Sequence, residues 1–176
     1  AVVLLPFAQL LGVARRAFAE AGGWLPRVET TQTLARSISP AQLPHPSQIC
    51  FDAGLDRLSA ARMLRAQHWV LADAADFDAA VVALVDTAHA FAKSAAPITP
   101  ALREAHWASG RLLLGAVTGP GARERWLARV AFEWAAASAA PGSDVLFSFR
   151  PAAWVMVQAG GADPQAAAVL AAAPDT

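Results

Sequence analysis

The chain opens on five apolar residues, Ala1-Val2-Val3-Leu4-Leu5, closed at once by Pro6. A continuous apolar run of this length reads as a strand buried on both faces, the habit of parallel sheets. Apolar residues then recur at helical spacing at Phe7, Leu10, Leu11, Ala14 and Phe18, with Gln9, Arg15, Arg16 and Glu20 elsewhere on the wheel. Gly22-Gly23 stops that helix. Pro26 to Thr30 reads as extended, and Thr31 is placed to cap a short helix through Ser37. Strand, helix, strand, helix is an α/β start.

The middle has a different character. Ser39 to Gln48 holds three prolines and reads as an exposed connection. From Asp52 the pattern is helix after helix. Asp52 caps a segment carrying Leu55, Leu58, Met63 and Trp69, and Asp76 or Asp78 opens one carrying Phe77, Val81, Leu84, Val85, Ala88 and Phe91. Thr99-Pro100 is a cap followed by proline at the first helical position, with Leu102, Leu113 and Val117 beyond it. Gly119-Pro120-Gly121 breaks the chain before a helix with Trp126, Val130 and Trp134 on one stripe. The tail turns at Pro141-Gly142, carries two short apolar runs, Asp144 to Phe147 and Trp154 to Val157, and ends in an alanine-rich helix opened by Asp163-Pro164. The division expected is an α/β core from 1–38 and 141–176 around a helical subdomain at 52–138.

Composition removes several classes of function. A chain of 176 residues, 56% hydrophobic, suits one core that buries roughly 70% of the unfolded surface. About a quarter of it is alanine, which favours helix but buries little area. Disorder does not fit such a composition, and one cysteine, Cys50, cannot make a disulfide scaffold and suits a reducing compartment. Fourteen basic residues balance fourteen acidic ones, which argues against a dedicated basic nucleic-acid module. No apolar run reaches the ~18 residues of a membrane span. The absent initial methionine and abrupt alanine-rich end lead us to expect a segment of a longer protein.

Candidate chemistry is thin. A phosphate loop needs GxxxxGK[ST], whereas the one lysine, Lys93, precedes Ser94 but follows a helical stretch with no glycine. His45, His68, His89 and His106 lack zinc-ligand spacing, so no metal or cofactor is expected. GxSxG is absent, and Ser109-Gly110 falls inside a helix. Pro174-Asp175 has the opening letters of a nuclease motif but no acidic and lysine partners after it. Six tryptophans remain, Trp24, Trp69, Trp107, Trp126, Trp134 and Trp154. At helical spacing they read as core or interface before base-stacking platforms. Arg123, Arg125 and Arg129, with Arg15 and Arg16, are the weak phosphate-contact set.

Two stretches carry a resemblance. Val2 to Pro6, followed by Leu10-Leu11-Gly12-Val13-Ala14-Arg15-Arg16-Ala17-Phe18, resembles the opening of AddB-type subunits, and Gly23-Trp24-Leu25-Pro26-Arg27-Val28 resembles that family's "LLPRI" element. These subunits belong to helicase–nuclease complexes that resect double-strand breaks, and their N-terminal region resembles an inactivated superfamily 1 helicase. Asp144 to Pro164 is similar to a stretch of related proteins, with the shape of a Walker B element. There two carboxylates would hold Mg²⁺ and activate water, and here Gln158-Ala159 stand in their place.

The resemblance implies a small parallel sheet of helicase, P-loop-like type with a large all-helical insertion. It further implies a non-catalytic, cytoplasmic scaffold in DNA repair and recombination, docked on a helicase subunit, with DNA as a further contact. Gln9, Arg15, Arg16, Thr31 and Gln32 are the positions it nominates for nucleic acid. Phe7-Ala8-Gln9 depart from the family's threonine and arginines after the Leu-Leu-Pro. The main rival is a helical small-molecule-binding or enzyme domain with a tryptophan-lined pocket. A third reading, an intact single-strand-binding module, needs arginines and tryptophans on one face.

Overall fold

The computed structural model describes residues 1–39, 45, 47–67, 74–119, 121–138, 143–158, 160 and 163–173. The protein is predominantly helical with one small parallel sheet, an α/β chain. It divides into two compact units, one of Ala1–Ala41, Ala96–Pro100 and Gly142–Thr176, the other of Gln42–Ala95 and Ala101–Pro141.

The first unit is built on three strands, β1 (Val2–Leu4), β2 (Arg27–Glu29) and β3 (Trp154–Met156), in the order β2-β1-β3. Both pairings are parallel, with Val3 opposite Val28 on one side and Val155 on the other. The opening apolar run therefore supplies the central strand, buried from Val2 to Leu5. Side chains alternate across a strand, and each half of this run finds its own helices. Val3 and Leu5, with Val28, pack under Leu10, Leu11 and Ala14 of α1 (Leu10–Ala21). Val2 and Leu4 face the other way, against Leu34 and Ala35 of α2 (Thr31–Ile38), Leu146 of α7 (Asp144–Ser148), and Ala166 and Val169 of α8 (Pro164–Ala171).

Local differences from the sequence reading have physical causes. Thr30, not Thr31, caps α2, because Thr30 and Thr33 form a reciprocal capping box. Thr31 is the first helical residue and turns inward. In α1, Phe7 lies ahead of the helix and stays about half exposed, as does Phe18 in part. Gly22, with φ of 71°, ends α1 as expected.

The second unit packs α3 (Ala53–Ala66), α4 (Ala74–Ala95), α5 (Pro100–Ala116, from Ala101 on) and α6 (Ala122–Ala137) around one core. The expected face of α4 is the buried one, with Val81, Leu84, Val85 and Ala88 inside and Phe77 and Phe91 packed against them. Asp52 caps α3 by accepting from the Gly54 and Leu55 amides. The face expected of α3 holds only in part, with Met63 packed against the core. Leu55 and Leu58 point to solvent, while Asp56, Ala60 and Leu64 are buried. Small Ala60 and a partnered aspartate suit the close α3–α4 packing, and a pattern counted on apolar letters cannot see that. Leu102 and Leu113 of α5, and Val117 just after it, are exposed, and Trp107 is the buried anchor. Its ring meets Phe132 of α6 edge-on at 5.1 Å between centroids. Gly110 sits against the same Phe132 ring, where a β-carbon would collide with it.

Among the described residues, no helix is long and apolar enough to cross a membrane. Trp69, His68, Pro120, Pro141-Gly142, Ala159, Pro174-Asp175 and most of the proline-rich connection lie outside the described residues.

Candidate functional site

Parallel sheets present ligands at the carboxyl ends of their strands, beside the point where connections leave in opposite directions. With β1 between β2 and β3, that point lies between β1 and β3. Several nominated residues follow these strand ends. Gln9 precedes α1, exposed, with no side-chain bond to the helix amides. Thr31 and Gln32 follow β2, and Gln158 follows β3, where Val157 N still donates to Leu4 O at 2.9 Å.

Their side chains divide by role. The Thr31 hydroxyl donates to Asp163 Oδ2 at 2.8 Å, and Thr31 is only 5% exposed. Asp163 in turn accepts from the Gln165 and Ala166 amides through Oδ1, so one carboxylate caps α8 and ties it to α2. Thr31 is thus a structural contact, and Gln9, Arg15, Arg16, Gln32 and Gln158 are the exposed members of the set. Arg15 also turns to its own unit, donating to Val28 O at 3.0 Å and lying 3.9 Å from Glu29. Past β3 the chain offers the Gln158 amide, which cannot supply the negative charge that would hold a divalent cation.

A second cluster, in the helical unit, has no counterpart in the sequence reading. Asp56 on α3 is 1% exposed, and its Oδ2 lies 2.7 Å from His89 Nε2 on α4. Its Oδ1 accepts from the Cys50 amide at 3.1 Å and from the Cys50 thiol at 3.3 Å. A carboxylate only accepts, so three donors satisfy it. Phe51, between Cys50 and the Asp52 cap, has φ of 59° and lays its ring 4.9 Å from the imidazole. A left-handed phenylalanine is costly and persists where surrounding bonds hold it. Lys93, one helical turn after His89, places Nζ 6.0 Å from the Phe51 ring.

Cysteine, histidine and aspartate in contact suggest a nucleophile, but the geometry argues otherwise. The thiol bonds to the carboxylate, with the imidazole on the opposite oxygen. Burial pushes the Cys50 thiol up, and the neighbouring Asp56 carboxylate adds to the rise. A thiol held protonated is a poor nucleophile. The cluster is a staple joining the segment before α3 to α4. Positions 50, 56 and 89 share no local spacing, so only the chemistry of a buried aspartate could have signalled them.

The tryptophans are packing residues for the most part. Trp134 is buried and donates Nε1–H to Ser47 O at 3.1 Å, and Trp126 is half-buried against the same core. Trp154 meets Phe149 edge-on in the first unit. Trp24 differs, being fully exposed. Arg123 lies 3.8 Å from Asp76 on the second unit's surface, and Arg129 is exposed there. Against protein-family models, curated proteins and solved structures, the chain finds no match.

Proposed function

We propose that this chain is a non-catalytic, helicase-like scaffold domain of a DNA repair helicase–nuclease complex. On this reading it works in the cytoplasm, where it docks a helicase subunit and lies beside a DNA path. The observation that carries the reading is the end of β3. A parallel strand adjoining the central strand leads to Gln158, where phosphoryl-transfer chemistry would require a carboxylate. The AddB-like motifs on β1 and β2 support it, as does the helical unit that interrupts the α/β one between α2 and α7. In a P-loop-like domain of helicase type, such a unit would be the insertion that contacts neighbouring subunits.

Two measurements test this reading. Calorimetric titration with ATP and Mg²⁺ is expected to give no binding heat, and micromolar binding that requires Mg²⁺ would overturn it. Mixed with the purified helicase subunit of such a complex, the chain is expected to co-elute on size exclusion. Separate elution removes the docking role.

A further inference from the structure

We propose that the outer edge of β2 is a docking site for an acidic, apolar segment of a partner protein, anchored by Trp24. This inference stands apart from the helicase-like reading.

The site begins at a built tip. Gly22 and Gly23 have φ of 71° and 98°, backbone conformations that glycine adopts at little cost. They deliver Trp24 into solvent at 100% exposure, followed by Leu25 at 55%. A large rigid aromatic in water is the residue type most enriched among interface anchors. Directly after it lies an open depression of about 270 Å³, lined by Leu25, Pro26, Arg27, Val28, Glu29 and Arg15. Leu25 and Pro26 form its apolar wall, the Val28 side chain being turned into the core, and the charges form its rim.

Charge decides the occupant. Arg15 lies 3.9 Å and Arg27 3.7 Å from Glu29, so two guanidinium groups share one carboxylate and a single positive charge is left over. Both arginines are also held in place, Arg15 by Val28 O and Arg27 by the Ser37 hydroxyl. A fixed guanidinium beside an apolar wall complements a carboxylate neighbouring an aliphatic side chain. A nucleic-acid strand fits less well. It needs positive charge along its path and aromatic platforms, whereas this site has one ring, an aliphatic wall and the repelling Glu29. Strand pairing on this edge is also blocked, because Arg15 occupies the Val28 carbonyl.

The test uses the whole chain and a capped hexapeptide, Ac-Glu-Leu-Glu-Leu-Glu-Leu-NH₂. Its glutamine counterpart and a ten-nucleotide thymidylate serve as comparison probes. The acidic peptide is expected to blue-shift tryptophan emission, and Trp24→Ser is expected to abolish the shift. Trp24 touches solvent on every side, so that variant keeps the native circular dichroism. Arg27→Gln is expected to weaken binding about fivefold, the effect of one exposed charged contact. Equal binding of the glutamine peptide overturns the charge argument. Tighter binding of the thymidylate makes the site a nucleic-acid contact, and no shift with any probe removes it.

Discussion

In each unit of this protein an aspartate ties two helices together, and the two aspartates do so differently. Asp163 sits at a helix start, partly open to solvent, and joins α8 to α2 through the Thr31 hydroxyl. Asp56 sits in the first turn of α3 with almost no exposure, and joins α3 to α4 and to the Cys50 segment. The first arrangement adds charge-assisted hydrogen bonds to a cap that water still reaches. The second buries an acceptor that water cannot reach, so each missing donor leaves an uncompensated polar group. A partly exposed capping aspartate and a buried one are the same letter in the sequence, but burial makes the loss of the second the costlier.

Removing the buried acid should give the largest effect. Asp56→Ala leaves His89 and the Cys50 amide without their acceptor, and we expect a loss of about 3 kcal/mol in denaturant unfolding. Hydrogen exchange should localise the loosening to residues 47–67 and the middle of α4. A loss no larger than that of Asp163→Ala would make the two aspartates equivalent and dissolve the contrast. Gly110→Ala should follow at about 1–3 kcal/mol, because the Phe132 ring must move within a filled core. An unchanged melting temperature would show that the ring yields freely. Asp163→Ala, which loses the α8 cap and the Thr31 partner together, should cost about 1–2 kcal/mol.

Two smaller effects sharpen the comparison. Cys50 is the one thiol in the chain, so iodoacetamide reports on it alone. Because its pKa is raised, thiolate forms later than in a free cysteine, and the rate–pH midpoint should lie above that of a model thiol. Asp56→Asn should bring it down. A midpoint at or below the free value would break the picture of a thiol held protonated. Leu58→Ser, on the exposed side of α3, should change stability by no more than about 0.5 kcal/mol. A large loss there would restore the leucine face read from the sequence.

Much of the scaffold was legible because it rests on local rules. Five apolar letters before Pro6 marked a strand buried on both faces, and the structure places it at the centre of the sheet. Asp52 and Asp163-Pro164 announced helix starts through side chains that reach their own amides. The α4 face followed from periodicity, since its buried residues are apolar without exception. Where a polar residue holds an inner position, periodicity misled, as Asp56 did for α3. The nominated contact set came from the family resemblance. Whether a given side chain faced water or another helix, as Thr31 does, was beyond that reading.

The sequence by itself determined that a parallel α/β segment would be interrupted by a run of helices, because strand runs, helical periods and caps are short-range patterns. Tertiary structure alone decided which partners the polar residues find. Cys50 and His89 are 39 positions apart, yet they meet on the two oxygens of one carboxylate. The same holds for Thr31 and Asp163, 132 positions apart. Such pairs leave no trace in spacing, because what selects them is the cost of burying an acceptor alone. That cost exists only once the helices have closed around it.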